Sequence, residues 1–384
     1  KVILIFDGTY SYTQKSNNFF FQRASYSVQK KSNLVKPFTV VTTTGLVLDF
    51  FGPFEATLND AQILEKVLKT NTHLRELLIG GVAVLDRGFR DAVPYLKSLN
   101  ITVKMPALKG KRKQFTTEEA NVSRLVTKVR WVIEAIHGIV KKKYKYLDAD
   151  RPTVELPNIG IYFRIAGFLQ NTFGKPLASD DDDPRVAEKI LKLVEKTNEL
   201  KTFVEENKLV RRNSDFISIA ADGLDNFPVL EKSELRDLFT GSYQLKLTAS
   251  YLAEFLNRYE VPVIWWHKRD SLVKIKMPSR HSKNKEYVLF IKYEEYENST
   301  EGILGWYCTC PNGARTVGPC CHVAAMIYYF SCAVYEEKTV TPASFLANVF
   351  NDDIPVVLND DSDDEEDGEE EEDNDTEGEE DEDN

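Results

Sequence analysis

The stretch VILIFDGT, residues 2–9, decides the fold. Five apolar residues in succession read as a strand buried on both faces. The run stops at Asp7-Gly8, a common turn pair. A second short run, VAVL at residues 82–85, ends in the same way on Asp86. Between them, PFTVV (37–41) and LVLDFF (46–51) flank Thr43-Thr44-Gly45, a hairpin signal. Residues 59–68 read as a helix capped by Asn59 or Asp60, residues 91–99 as another, and ITVKM (101–105) as a further strand. Strands alternating with helices predict an α/β domain built on a mixed sheet.

A long helix follows, from Thr117 to about Tyr144, with Thr116 and Glu119 at capping-box spacing. Val122, Leu125, Val129, Val132, Ile136 and Val140 keep apolar steps of three or four. Thr127, Arg130, Glu134, His137 and Lys141 form a polar stripe beside it. Taken alone, this stripe is a solvated face with an i,i+4 ion pair from Arg130 to Glu134. Asp7 and Asp86 change its meaning, because each directly follows a short apolar strand, and strand ends are where ligand groups converge. A carboxylate on the long helix would complete a set of three. Such a set repels itself unless a divalent cation neutralises it, and hard oxygen ligands suit magnesium or manganese. Taken singly, Asp7 and Asp86 are equally at home as turn or cap residues.

IFDGTYSY (5–12), the spaced segment from Gln22 to Leu64, VLDRGF (84–89) and VRWVIEAIHGIVKKK (129–143) together resemble a DDE-type transposase domain. The resemblance is closest to the group of Harbinger-like elements and related bacterial insertion-sequence transposases, and covers residues 1–148. It implies an RNase H-like fold. The family's first acid matches Asp7 in Asp-Gly-Thr, its second Asp86 in Asp-Arg-Gly-Phe. The third matches Glu134, with Arg130 and Lys141 at the spacing of a Tyr-x2-Arg-x3-Glu-x6-Lys motif; Thr127 stands where that motif has tyrosine. The implied chemistry is Mg²⁺- or Mn²⁺-dependent attack of water, or of a DNA 3′-hydroxyl, on a phosphodiester. Asp7, Asp86 and Glu134 would hold the ions, and Arg130 and Lys141 would contact phosphate or steady Glu134. Asp60 is also typical of the surrounding sequence, and reads as a helix cap rather than a metal ligand.

All five cysteines fall between residues 308 and 332. Cys308-x-Cys310, nine residues and Cys320-x-His322 offer three thiolates and an imidazole, a common structural zinc set. Ligands one residue apart project to one side of an extended segment, and Pro311, Asn312, Gly313, Gly318 and Pro319 let the loop between the pairs fold back. A disulfide framework lacks a secretory context, and scattered core thiols would not cluster like this. Cys321 and Cys332 read as packed helix residues, His267 and His281 as surface residues. Residues 286–292 and 302–307 read as strands, and VAAMIYY (323–329) as a buried helix. The pattern resembles the SWIM-type zinc finger over residues 285–330. That resemblance implies Cys308, Cys310, Cys320 and His322 as ligands and a role in DNA or protein contacts.

The net charge of −11 comes from the carboxyl-terminal end. Residues 360–384 hold 19 Asp and Glu and no Lys or Arg, which leaves 41 acids against 49 bases, about +8, for the rest. Such a tail cannot bury apolar surface and is expected to be disordered. The basic body permits DNA binding, with Lys104, Lys109, Lys111, Arg112, Lys113, Lys141, Lys142 and Lys143 as a phosphate-tracking surface. No apolar run is long enough to cross a bilayer, and the chain, which opens at Lys1, is expected to continue a longer protein.

In the middle, Asp180 to Asp183 followed by Pro184 read as linker and helix cap. An amphipathic helix then runs to about Asn207, and residues 230–239 and 243–259 look helical. The expected organisation is a nuclease-like domain at 1–148, a mainly helical connecting region at 149–284, a small β/α zinc module at 285–335, a linker at 336–359 and the acidic tail at 360–384. The reading is a DDE endonuclease with a zinc module, nuclear by resemblance. The alternative is a domesticated or decayed descendant that binds DNA or protein without cleaving.

Overall fold

The computed structural model describes residues 1–335 apart from 176, 178–183, 212–213, 220–223, 260–262, 268, 281 and 283. The expected linker, acidic tail, Asp180 to Asp183 and His281 lie outside the described residues. Among these, no helix is long and apolar enough to cross a membrane.

The first sheet contains β1 (Ile3–Gly8), β2 (Ser32–Thr42), β3 (Val47–Glu55), β4 (Val82–Val84) and β5 (Thr102–Lys104). Their order is β3-β2-β1-β4-β5. Strand β2 runs antiparallel to β1 and β3, while β4 and β5 run parallel to β1 and to each other. Two-residue strands at Ser11–Tyr12 and Tyr26–Ser27 extend the edge along β2. This is an RNase H-like sheet with helices on both faces.

The pleat sorts side chains by parity. Leu4, Phe6, Phe38, Val40 and Ala83 pack on one face against α1 (Asp60–Thr70), through Ile63, Leu64, Val67 and Leu68. Ile5, Val35, Val41 and Val84 pack on the other, against α2 (Thr117–Lys143) and α3 (Leu156–Phe173). Asn59 caps α1 and Thr116 caps α2, each in a reciprocal capping box. The buried stripe of α2 is Val126, Ile133, Ile136 and Val140. Val122, expected on that stripe, is 41% exposed, because the first turns of the helix leave the sheet and rest on other elements.

Helix α3 lies beyond the expected boundary at residue 148. Its Pro, two glycines and β-branched residues give it little intrinsic helix propensity, and its docking on β3 explains it. A Cβ at Gly160 would collide with the carbonyl oxygen of Gly52, and one at Gly167 would press on Phe50 and Val47.

Next come α4 (Pro184–Glu195) and α5 (Glu199–Glu206), where one helix is expected to run to Asn207. Asn198 divides them. Its Oδ1 accepts from the Lys201 amide at 2.8 Å, and its Nδ2 donates to the carbonyls of Trp306 and Ala314 at 3.0 Å. The expected helix at 91–99 likewise begins as a 3₁₀ turn, Arg87–Ala92, before the α-helix Val93–Ser98.

The second sheet is a five-stranded antiparallel set: β6 (Phe216–Ile219), β7 (Ile264–His267), β8 (Leu272–Pro278), β9 (Glu286–Tyr293) and β10 (Ile303–Cys308), in the order β10-β9-β8-β7-β6. Helices α6 (Lys232–Leu238), α7 (Ser242–Tyr259) and α8 (Cys321–Ser331) cover one face, and α5 covers the other. The middle region is therefore helical, yet three of its strands pair into the sheet of the zinc module, and the expected boundary at 284/285 falls between the hydrogen-bonded strands β8 and β9.

Gly160→Ala tests the seat of α3. At an exposed helical site the change would be worth up to about 1 kcal/mol of propensity. Here the collision should outweigh that gain, with a net loss of about 1–3 kcal/mol in urea unfolding. Gly138→Ala is the control, since no atom lies within 4 Å of a Cβ at that position in α2, and it should stabilise.

Candidate functional site

Strand register brings the first two acids together. Ile3, Leu4 and Ile5 pair with Val82, Ala83 and Val84 in parallel. Two residues further along that register stand Asp7 and Asp86, with the parity of Ile5 and Val84. Both therefore face α2, which carries Glu134.

One cation ties the cluster. Arg130 Nη2 lies 3.4 Å from Asp86 Oδ2 and 3.4 Å from Glu134 Oε1. The guanidinium side chain is 13% exposed, against 43% for Asp86 and 51% for Glu134, so it fills the space between two more open carboxylates. The other oxygen of Asp86 accepts from the Arg87 amide and starts the 3₁₀ turn. Asp7 Oδ1 accepts from the Gly8 amide at 2.9 Å. Burial pushes the Asp7 carboxyl up to about 8; Arg130 pulls against that shift, and Asp60, Asp86 and Glu134 reinforce it.

Asp60 thus belongs to the cluster, and its reading as a helix cap is corrected. Asn59 performs the capping. The Asp60 carboxylate sits between the two glycines that follow the strand-end acids. Its oxygens lie 3.0 Å from the Cβ position of Gly8 and 3.5 Å from that of Gly88. An acid in the first turn of a helix already has an explanation in the helix dipole, and that sufficient reason hid the second one.

The polar stripe of α2 splits. His137 turns inward, with Nε2 2.7 Å from the Thr39 hydroxyl, and Thr39 is the register partner of Asp7. Burial, helped by Lys141, holds the imidazole down at about 3, so it is neutral and pins helix to sheet. Lys141, expected beside Glu134, pairs instead with Asp148 at 3.7 Å. Seven residues separate it from Glu134, about 10 Å along a helix, and Asp148 is the acid within its reach.

The zinc ligands converge as expected. Cys308, Cys310, Cys320 and His322 are buried, and their ligand atoms all lie within 4.8 Å of one another. Among the described residues this is the one set of three or more so tight; the carboxylates, with Arg130 between them, form no such set. Cys308 ends β10, and a Cβ at Gly313 would strike its carbonyl oxygen, so the loop closes only over glycine. Cys320 and His322 stand at the start of α8. His322 Nδ1 lies 4.0 Å from Cys308 Sγ and 3.8 Å from Cys320 Sγ, the edge lengths of a tetrahedron around a small ion. The rings of Tyr251 and Tyr287 pack on the imidazole at 5.7 and 5.0 Å. Burial pushes the Cys308 thiol well up, and Cys310 and Cys320 add to it. Cys320 is drawn well down, against its own burial, by hydrogen bonds with Cys308, Cys310 and His322. The donor set and spacing fit zinc.

Cys321 is half-buried, with Sγ 3.8 Å from His322 Nδ1, outside the four-ligand set. His267 is not a surface residue: it is 7% exposed, packs edge-on against Phe216 and lies 3.1 Å from Asp270.

Comparison with protein families agrees with this division. Residues 6–171 match the DDE superfamily endonuclease, a span that takes in α3, and residues 293–330 match the SWIM zinc finger. Neither the curated proteins nor the solved structures contain a match. The chain therefore carries a DDE endonuclease-like domain followed by a SWIM zinc finger.

Two outcomes follow from the two clusters. Cys310→Ser should lose zinc by elemental analysis and loosen the second sheet, whereas Cys332→Ser should keep the metal. Asp7 is raised above its unfolded value of about 3.9, so its contribution to stability is full below that value and is lost as pH rises through about 8. Relative to Asp7→Asn, the metal-free protein should lose melting temperature between pH 4 and 8. Mn²⁺ should restore it at pH 8.5 in the wild type and not in the variant.

Proposed function

We propose that the first domain is a metal-dependent DNA endonuclease of the transposase type, acting by phosphodiester hydrolysis or strand transfer. The observation that carries this reading is the gathering of Asp60, Asp86 and Glu134 around Asp7 at the end of two parallel strands, with Arg130 bridging Asp86 and Glu134. Asp7, Asp86 and Glu134 would hold Mg²⁺ or Mn²⁺, with Asp60 alongside. Bound there, such ions supply an activated hydroxyl and neutralise the leaving oxygen. Burial is the main reason that Asp7 retains its proton, and the neighbouring carboxylates add to it, a setting in which a nearby divalent ion would favour the ionised form.

The chain's own groups do the positioning. Arg130 keeps Asp86 and Glu134 aimed at one another, and His137 fixes α2 over Thr39, opposite Asp7. Asp7 would have to be ionised to serve as a ligand, and so would release the proton that it holds up to about pH 8. DNA is the partner that suits the rest of the surface. Lys111 and Lys113 are exposed on the loop between β5 and α2, and Lys109 is half-buried there. They present cations to a phosphate backbone beside the carboxylates. Arg112 is committed to Glu119 through two bonds of 2.8 Å. The SWIM finger adds DNA or protein contacts, and an element-derived protein of this kind acts in the nucleus.

A second reading keeps the folds without cleavage: a decayed transposase that binds DNA or protein. The pairing of Lys141 with Asp148, away from Glu134, favours it.

Nicking of supercoiled DNA by the purified chain separates the two. Cleavage should require Mg²⁺ or Mn²⁺. Asp86→Ala and Glu134→Gln should each cut the rate by about 10²–10⁴-fold, the scale of a lost catalytic group. Equal nicking by wild type and both variants rejects the catalytic assignment.

A further inference from the structure

The zinc module and the carboxylate-bearing helix are stitched together by side-chain amides. Gln114 Nε2 donates to the carbonyl oxygens of two zinc ligands, Cys308 and Cys310, at 2.7 Å each. Its Oε1 lies 3.2 Å from the Tyr307 hydroxyl, which donates to it. The next residue, Phe115, donates its amide to the Pro311 carbonyl at 3.1 Å. One turn into α2, Asn121 is wholly buried. Its Oδ1 accepts from the amides of Thr316 and Val317 at 2.8 and 3.2 Å. Its Nδ2 donates to Thr316 Oγ1 at 2.8 Å and to the Val194 carbonyl at 3.1 Å. Thr316 Oγ1 in turn donates to the Leu193 carbonyl at 2.6 Å.

We propose that Asn121 and Gln114 are positioning residues that make the closed zinc loop a structural part of the carboxylate site. Residues 309–319 carry no helix or strand, so their backbone depends on turn hydrogen bonds, on side chains such as Arg315, whose Nε donates to the Gly318 carbonyl, and on the chelate that closes the loop. The two carbonyls that Gln114 grips belong to the first pair of ligand residues. All four hydrogen-bonding positions of the Asn121 amide are filled, three of them by the loop. If the loop opens, a buried amide in the first turns of α2 loses its partners, which is costly in a low-dielectric site. Asparagine also adds little helix propensity of its own.

The helix then has one good anchor instead of two. Val126, Ile133, Ile136 and Val140 still hold the rest of the helix on the sheet, and the turns before Val126 loosen. Arg130 and Glu134 lie about one and two turns beyond Val126, thirteen residues from Asn121 in the case of Glu134, about 20 Å along the axis. Zinc at one site thereby raises divalent-ion affinity at the other, and the coupling is reciprocal. A docking surface with no such role would not need to grip the ligand residues themselves. The consequence for cleavage rests on the nuclease reading; the coupling between the sites does not.

The full chain is prepared zinc-loaded and zinc-stripped, as wild type, Asn121→Leu, Asn121→Asp and Gln114→Met. Hydrogen exchange is followed across residues 117–134, and Mn²⁺ affinity is titrated without DNA. Stripping zinc from the wild type should speed exchange in that segment and weaken Mn²⁺ about tenfold, within the usual range of coupling between sites. Asn121→Leu should keep its zinc and show the same two losses, and stripping it should then change Mn²⁺ affinity little further. Asn121→Asp, which keeps the acceptor and loses the donors, should fall between. Gln114→Met serves if Asn121→Leu does not fold.

Unchanged exchange in residues 117–134 on stripping the wild type overturns the proposal. So does a cycle in which the effects of zinc and of Asn121→Leu on Mn²⁺ simply add. If DNA is nicked, kcat should fall in Asn121→Leu with KM for DNA nearly constant. Coupling without any nicking sinks the nuclease reading and leaves this one standing; nicking that ignores zinc does the reverse.

Discussion

Four carboxylates and one guanidinium gather where β1 and β4 end, and crowding like charges there carries an electrostatic cost. Arg130 neutralises one unit, split between Asp86 and Glu134. Asp7, buried beside the other carboxylates, keeps its proton up to about pH 8. Like charges so close, in a partly desolvated site, cost far more than they would in water. Strongly shifted carboxyls gathered in this way mark candidate functional sites. The rest of the domain serves the convergence. Parallel register sets Asp7 beside Asp86, parity turns both toward α2, and the buried stripe of α2 turns Glu134 toward them.

Much of this was legible in the sequence, for a definite reason. Short apolar strands ending in Asp-Gly and Asp-Arg-Gly carry their periodicity, their boundary and their chemistry in eight residues. The capping boxes of α1 and α2 are equally local. What was hidden depends on contacts across the chain. Asp60 looked fully explained by its place in a helix turn, and only the two glycines facing it reveal its other neighbours. Lys141 kept the expected spacing, but Asp148, in the turn after the helix, takes its charge. Helix α3 has poor local signals and is held by the close approach of Gly160 to β3. Asn198 breaks an otherwise continuous amphipathic pattern because Trp306 and Ala314, more than a hundred residues away, offer it carbonyls.

The zinc ligands were readable because a chelate is a local object: two pairs with a turn-rich loop between them. The size of the module was not. Its sheet recruits β6, β7 and β8 from the region expected to be a helical connector, since a two-stranded unit with one helix has too little apolar area to stand alone. Leu252, Phe255, Val323 and Ile327 share one core with Ile275 and Leu289, so metal and packing stabilise the same body. Zinc in this setting organises the loop at the edge of a core that is already there.

That loop faces the DDE endonuclease-like domain. The segment between β5 and α2 carries Lys109, Lys111, Arg112 and Lys113, and both its ends are fixed. One end is in the sheet; the other is held through Gln114 and Phe115 to Cys308, Cys310 and Pro311. A cationic loop free at one end would lose much of its electrostatic gain to the entropy of ordering on a phosphate backbone. Pinned at both ends, it presents its charges already in place, and the ordering cost has been met in folding. The same contacts therefore reach two things at once: the start of the helix that carries Glu134, and the basic segment that precedes it.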